Sequence, residues 1–203
     1  MQGDLFGTTP EPGELVSITN GEYRYFPNFY NKTDADRLLK AFEENIEWKQ
    51  EEMQMYGKVL KFPRLTAWYG DDDKPYSFSG ITLKPLPWSK ELLEIKKLIE
   101  PISEVEYNSV LLNLYRDGND SISWHSDDEK ELGKNPIIAS VNFGQERDFQ
   151  LKNKDTGEKI NIKLQHGSLL IMQGAMQHHW LHQVPKRKNI NKPRVNLTFR
   201  VIK

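Results

Sequence analysis

The 203-residue sequence contains no cysteine. That absence removes disulfide staples, thiolate-bound zinc and a thiol nucleophile together, and leaves His and carboxylates as the candidate metal ligands. No apolar run approaches the roughly 18 residues that read as a membrane-spanning helix, so no membrane partner is expected. The opening segment MQGDLFGTTPEPGE has neither a basic start nor an apolar stretch, so no secretory signal is expected. Acidic residues are missing from one end only. The last is Glu158, and residues 159–203 carry nine Lys and Arg with no acid. Residues 1–158 hold 19 basic residues against 29 acidic ones, so a net charge of −1 conceals −10 and +9. Such a gradient suggests a face that meets an anion, either nucleic acid or carboxylate. The alternative is a basic C-terminal strand and loop with solvated charges.

What is present is ordinary for a globular domain: 37% hydrophobic and 28% charged residues. Residues 1–13 read as a flexible tail ending in the linker GTTPEPG. Residues 14–106 read as an N-terminal extension and 107–203 as a β-rich core, together one integrated domain over 14–203. Thr33 and Asp36 mark a helix start, with Leu38, Leu39, Phe42 and Ile46 at helical spacing. A second helix is predicted from Ser89, through Leu92, Leu93, Ile95 and Ile99, ending before Pro101. Between them, apolar residues flank Tyr56-Gly57-Lys58, which reads as a hairpin tip. From residue 107, short β-rich runs at 107–116, 137–143, 147–152, 159–164, 168–173 and 194–202 alternate with turns such as Asp117-Gly118 and Thr156-Gly157. Many short strands at regular spacing suggest a sandwich or jelly roll.

All five histidines fall between residues 125 and 182. His125-Ser126-Asp127 lies in the loop DGNDSISWHSDDEKE, and in extended backbone residues i and i+2 point to one side. An imidazole and a carboxylate can therefore face one ion, with His178, His179 or His182 supplying a third ligand. Two His and one carboxylate leave open coordination positions, as in non-haem Fe(II) oxygenases. The alternative is an ordinary loop His beside a solvated acid. In RVNLTFR (194–200), Val195, Leu197 and Phe199 share one face, while Arg194, Asn196, Thr198 and Arg200 share the other. Two guanidinium groups suit carboxylates. They lie about 20 Å apart at roughly 3.3 Å per residue, so they either lean together on one dicarboxylate or serve different partners. Otherwise that face is exposed and its arginines solvated. On the strand 107–116, Asn113 and Tyr115 offer an amide and a phenol beside the HxD loop, or are satisfied core polar groups.

Together, HSD (125–127), the distal His in HWLHQVP (179–185) and RVNLTFR (194–200) resemble the AlkB family of Fe(II)- and 2-oxoglutarate-dependent dioxygenases. YSFSGITLKPLPW (76–88), VLLNLYRDGNDSISWHSDDEKEL (110–132), PIIASVNFGQERDFQLKNK (136–154) and HGSLLIMQG (166–174) look like its branch that repairs alkylated double-stranded DNA. The likeness covers roughly residues 55–203. It implies an α+β fold: a double-stranded β-helix (jelly roll) core with N-terminal helices and a nucleotide-recognition hairpin. It also implies Fe(II), 2-oxoglutarate and O₂, and the oxidative demethylation of 1-methyladenine or 3-methylcytosine with release of formaldehyde, succinate and CO₂.

Carried over by position, His125, Asp127 and His182 become the iron ligands. Asn113, Tyr115, Arg194, Asn196 and Arg200 become the 2-oxoglutarate site. Asp128 becomes the acid that reads the base, with Tyr76 and Phe78 lining its pocket. Met55-Tyr56-Gly57, followed by Lys58, takes the place of an intercalating finger, where the repair branch has Phe at the position of Tyr56. Arg64 falls where a basic residue steadies the opened strand, and Lys186, Arg187 and Lys188 with Lys192 would lie on phosphates. Gln2, Leu5 and Phe6 of the QGDLF segment look like a peptide that docks on the bacterial DNA sliding clamp.

The expected partner is alkylated DNA, double-stranded, bound by a monomer. The expected compartment is the cytoplasm and nucleoid of a bacterium, or the nucleus of a eukaryote. The same catalytic residues would serve RNA or tRNA demethylation. The remaining alternatives are a sugar- or protein-modifying dioxygenase and a non-catalytic nucleic-acid-binding module.

Overall fold

Alternation along the C-terminal strands decides which residues the fold must cover. Strands 109–115, 138–144, 168–173 and 194–200 are buried on nearly every residue, whereas 147–153, 159–164 and 180–184 bury one face. The computed structural model describes residues 11–55, 58–71, 76–78, 81–83 and 85–203, with the side chains of 53–55, 58, 76–78 and 81–83 outside the description. In chain order, β1 (Leu15–Ile18) and β2 (Gly21–Phe26) precede α1 (Lys32–Asn45). β3 (Glu52–Met55), β4 (Lys58–Lys61), β5 (Leu65–Gly70), β6 (Tyr76–Phe78) and β7 (Ile81–Leu83) lead to α2 (Lys90–Ser103). β8 (Ser109–Tyr115), β9 (Ile122–His125), β10 (Ile138–Gly144), β11 (Arg147–Asn153), β12 (Lys159–Leu164) and β13 (Ser168–Gln173) follow. A short α3 (Met176–His179), β14 (Trp180–Val184) and β15 (Arg194–Arg200) complete the fold.

Two antiparallel sheets carry the architecture. The larger has the order β1-β2-β13-β10-β15-β8-β5, and the smaller β12-β11-β14-β9. They face one another as a jelly roll, and the helices make the whole α+β. β15, with its strict apolar alternation, sits between β10 and β8, well inside the larger sheet. Its Val195, Leu197 and Phe199 are fully buried, packed with Val110 and Leu112 of β8 and Val141 and Phe143 of β10 beneath the helices. α1 contributes Leu38 and Phe42 to that layer, and α2 contributes Leu92, Ile95 and Ile99. Both long helices start on a side-chain cap: Asn31 accepts from the Asp34 amide and Ser89 from the Leu92 amide, contacts worth about 1 kcal/mol each. With one face under helices and the other facing the smaller sheet, the larger sheet has little solvent on either side.

α2 does not stop before Pro101. It runs to Ser103, with Pro101 in the last turn, and ends where Glu104 adopts φ 56°. A proline there forfeits only one helical hydrogen bond, and the Ser103 hydroxyl donates to the Ile99 carbonyl in the same last turn. The HxD motif is also not wholly in a loop, since His125 is the last residue of β9. β1 and β2 extend the larger sheet from a segment that the strand pattern had not assigned. The expected linker ends in a turn held to the sheet, because the Gly13 amide donates to the Tyr25 carbonyl at 2.8 Å. β3 and β4 pair antiparallel as a hairpin, with Met55 opposite Lys58. The expected tip residues Tyr56 and Gly57, and the docking residues Gln2, Leu5 and Phe6, lie outside the described residues. No helix among the described residues is long and apolar enough to cross a membrane.

Phe199 lies 6.2 Å from Trp88, ring to ring, under the helices. Phe199→Ala should therefore lower the unfolding free energy by about 3–5 kcal/mol. Urea denaturation checks this, and a loss below about 1 kcal/mol would contradict the packing described.

Candidate metal centre and cosubstrate cavity

The site grows out of the inner face of the larger sheet. Antiparallel register sets Asn113 opposite Asn196, and Asn196 opposite Asn142, so three amides form a row across β8, β15 and β10. The neighbouring rows place Tyr115 opposite Arg194 and Ser140 opposite Thr198. These polar groups are buried, so each needs a partner. Asn196 Nδ2 donates to Ser140 Oγ at 2.8 Å and to Asn142 Oδ1 at 3.1 Å, while Thr198 donates to Asn196 Oδ1. Arg194 donates to Asn142 Oδ1 at 2.5 Å and lies 5.0 Å over the Tyr115 ring.

The smaller sheet supplies the metal-ligating side chains. β14 pairs with β9, His182 opposite His125 and Val184 opposite Ile122, so three residues of β14 span four of β9. This irregularity turns both Ile122 and His125 into the cavity, as a bulge re-aims a side chain. The chain then stays extended, and Asp127 enters the same space. One ligand atom from each of His125, Asp127 and His182 lies within 4.8 Å of the others. His178 and His179 go elsewhere: His178 is exposed, and His179 pairs with Asp155 at 2.9 Å. The metal and cosubstrate residues expected from sequence all line one cavity, together with Phe149 and Met172.

The donor set suits a divalent cation. Asp127 is 2% exposed; its Oδ2 accepts from Arg200 at 2.7 Å, and its Oδ1 has no hydrogen-bond partner among the described residues. An unpaired buried carboxylate oxygen is costly unless something binds it. Burial opposes ionisation, but Arg200 and the flanking imidazoles outweigh it and hold the carboxyl at about 2. His125 Nδ1 bonds the Ser123 carbonyl at 2.8 Å, which directs Nε2 and its lone pair toward Asp127. Burial pushes both imidazoles down, His182 to about 3, so both are neutral and able to ligate at neutral pH. Arg194 stays cationic, held at about 10 by burial with Tyr115 opposing, and its Nε and second terminal nitrogen are buried without hydrogen-bond partners among the described residues. A cation so placed suits a ligand carboxylate. The two arginines therefore serve different partners: Arg200 takes the ligand carboxylate Asp127, and Arg194 lies among Tyr115 and Asn142.

Other expected residues fall outside the cavity. Asp128 is half exposed, 3.6 Å from the Lys154 ammonium. Lys186, Arg187 and Lys188 are exposed, but Arg187 is ion-paired to Asp148. Arg64, carried over as the residue that steadies the opened strand, is 4% exposed and donates through Nε to Asn113 Oδ1 at 2.8 Å. Met55 and Lys58 bracket the hairpin tip, and Tyr76 and Phe78 belong to the pair β6–β7. The side chains of these four lie outside the described residues.

Several functional residues were not foreseen. Gln177, 1% exposed on α3, accepts the Asp127 amide at 2.9 Å and so holds the ligand backbone. Lys154 ties Ser126 to the Gln177 carbonyl. Arg147 grips the carbonyls of Asp117, Asp120 and Pro185, fixing the loop that carries 186–188. Ser140 and Asn142 were readable, since they alternate with Ala139, Val141 and Phe143 along β10. Gln177 left no such signal.

A two-histidine, one-carboxylate cluster between the sheets of a jelly roll, with a buried arginine pointing into the cavity, defines an iron oxygenase of the 2-oxoglutarate type. The profile of the 2OG-Fe(II) oxygenase superfamily matches residues 22–200. Alpha-ketoglutarate-dependent dioxygenase alkB homolog 3 of Homo sapiens is 43% identical over 187 residues, covering 87% of this chain and 65% of that protein. DNA oxidative demethylase ALKBH2 of Mus musculus is 40% identical over 222 residues, covering 100% of this chain and 93% of that protein. Among solved structures, OsALKBH1 superimposes with a TM-score of 0.63 at 14% identity, covering 93% of this chain and 100% of that one. A 2OG-Fe(II) family oxidoreductase from Burkholderia pseudomallei gives 0.59 at 12% identity, over 88% and 84%. At those identities the two structures speak to the fold alone. The chain belongs to the AlkB family of Fe(II)- and 2-oxoglutarate-dependent dioxygenases, and it spans 65% of the length of the human relative.

The depressed imidazoles give a stability test with a definite sign. The unfolded chain takes up a proton at His182 near pH 6.5, whereas the folded chain does so only near 3, so stability falls as pH drops through that window. Between pH 6.5 and 5 the metal-free protein should lose about 2 kcal/mol through this group. His182→Leu should flatten the slope. Urea midpoints across pH 5–7.5 measure it, and equal slopes for both proteins would contradict the assignment.

Proposed function

We propose that this protein is an oxidative demethylase that removes N-linked methyl groups from damaged bases in DNA. The observation that carries the reading is the division of labour between two adjacent acids. Asp127 is buried on Arg200 with one oxygen left for a metal, while Asp128 beside it is open to solvent. The relative named DNA oxidative demethylase ALKBH2, matched over the whole chain, supports DNA as the substrate.

His125, Asp127 and His182 would hold Fe(II), and Arg194, Asn113 and Tyr115 would hold the distal carboxylate of 2-oxoglutarate. When bound, iron with 2-oxoglutarate and O₂ supplies the oxidant that hydroxylates an N-methyl group; formaldehyde then leaves the base, and succinate and CO₂ are the other products. The protein's own part is positional. Arg200 fixes the rotation of the Asp127 carboxylate, and the Ser123 carbonyl fixes the tautomer of His125. Gln177 fixes the backbone amide that enters Asp127. Methylation at adenine N1 or cytosine N3 leaves the ring cationic, and the Asp128 carboxylate favours that charge. A base in a duplex must be flipped out, at a cost of a few kcal/mol that is lowest for one already unable to pair. Tyr56, at the end of the β3–β4 hairpin in sequence, would fill the gap, with Tyr76 and Phe78 lining the base. Lys186 and Lys188 would meet phosphates, making binding salt-dependent.

Formaldehyde release from methylated duplex DNA, single-stranded DNA and RNA tests the reading. Duplex DNA carrying 1-methyladenine should be the preferred substrate, and Asp128→Asn should slow cationic lesions by at least tenfold more than neutral etheno adducts. Equal rates on RNA and duplex DNA would overturn the DNA assignment. Residues 2–6 are proposed to dock on a sliding clamp. Clamp capture should be lost on Leu5→Ala with Phe6→Ala, and equal recovery would remove the idea.

A further inference from the structure

Arg64 is a buried cation with no part in the chemistry above. It follows the β3–β4 hairpin and precedes β5, and the β5–β8 register (Leu65 opposite Leu114, Thr66 opposite Asn113) carries it alongside Tyr115 on the inner face. Its backbone surroundings are held. The Ser121 amide donates to the Pro63 carbonyl and the Phe62 amide to the Glu51 carbonyl, both at 2.8 Å. Gln50 Nε2 donates to the Phe62 carbonyl at 2.9 Å. The guanidinium lies 4.9 Å over the Phe62 ring, and Nε donates to Asn113 Oδ1.

An asparagine amide has an accepting end and a donating end, and a half-turn about its last torsion exchanges them. Arg64 can only donate, so it selects the oxygen. The NH₂ group is then the end Asn113 has left for the cavity it lines. The geometry points to Arg64 as a positioning residue for the cosubstrate: it fixes the Asn113 amide so that a donor, and not a carbonyl oxygen, meets the carboxylate of 2-oxoglutarate. This inference rests on the assignment of Asn113 to the cosubstrate. It also ties the cosubstrate cavity to the segment that ends the β3–β4 hairpin. Without Arg64 the amide is free to turn its oxygen toward the anion, and a charge-assisted hydrogen bond becomes a repulsion. Loss of one such bond corresponds to about tenfold to hundredfold in affinity.

The test is calorimetric titration of 2-oxoglutarate into the Mn(II)-loaded full chain, paired with the salt dependence of duplex DNA binding. Arg64→Met and Arg64→Lys should each weaken 2-oxoglutarate by about tenfold or more; Lys keeps the charge and stem but cannot aim a donor as Nε does. If Arg64→Met does not fold, Arg64→Lys carries the test. Asn113→Asp, which strengthens the bond to Arg64 but offers oxygen to the cavity, should also weaken it. In an Asn113→Ala background, removing Arg64 should change the affinity less than twofold, since Arg64 acts through that amide. The salt slope of duplex binding should be unaltered. Wild-type affinity in either Arg64 variant would overturn the inference. So would a salt slope reduced by about one with unchanged 2-oxoglutarate affinity, which is the signature of a phosphate contact. Unchanged affinity in Asn113→Ala and Asn113→Asp would instead overturn the cosubstrate role of Asn113, and the inference with it.

Discussion

The buried ion pair between Arg200 and Asp127 is the contact on which the site depends. Both residues are almost without solvent, and a single 2.7 Å bond joins the last residue of β15 to the loop after β9. Burying two charges costs several kcal/mol each, and the pair alone returns that only in part. What it secures is geometry. With Oδ2 occupied by a guanidinium, Oδ1 is the oxygen left facing His125 and His182, and the carboxylate stays ionised to low pH. Removing Arg200 would leave a buried carboxylate uncompensated, a loss of about 3–5 kcal/mol in comparable cases, so the larger sheet and the metal centre stand or fall together.

The same tension runs along the inner face of the larger sheet. Helices seal its outer face with aliphatic and aromatic side chains, whereas its inner face carries a row of amides and an arginine closed in by the smaller sheet. Those groups satisfy one another through Asn196, Asn142, Ser140 and Thr198, yet Asp127 Oδ1 and two Arg194 nitrogens stay unmatched among the described residues. Each unmatched buried group costs about 1–3 kcal/mol in the ligand-free chain and is recovered when a cation or an anion arrives. The cavity is thus arranged for one positive and one negative visitor, which fits the Fe(II) and 2-oxoglutarate that the family uses. Residues without chemistry of their own keep this arrangement: Gln177 on the Asp127 backbone, Lys154 across the HxD loop and Arg64 on Asn113.

Strand alternation made much of this legible beforehand. RVNLTFR divides into an apolar and a polar face by period two, and β15 obeys that rule inside a sheet, so both arginines came out buried and not solvated. Asn113 and Tyr115 followed from the same rule on β8. β1 and β2 were missed although they are joined by the two-residue turn Thr19-Asn20, with Asn20 at φ 57°, between alternating residues. β9 was missed because its irregular pairing with β14 breaks period two, the feature that aims His125 inward. Pro101 stopped α2 too early, because a proline in a final turn costs far less than one mid-helix. The contact of Arg64 with Asn113 was not foreseen, because a position beside a hairpin says nothing about which way a long side chain folds. Only the β5–β8 register, a property of distant strands, turns it inward.

Metal stoichiometry tests the central claim most directly. Anaerobic titration of the metal-free chain with Mn(II), followed by the loss of the free-ion paramagnetic resonance signal, should show one tight site per chain. Asp127→Ala should abolish that site. Arg200→Met, which leaves all three ligands in place but frees the carboxylate to rotate, should weaken it by about tenfold or more. Tight one-to-one binding that survives Asp127→Ala, or is unaffected by Arg200→Met, would contradict the account of a metal centre oriented by a buried ion pair.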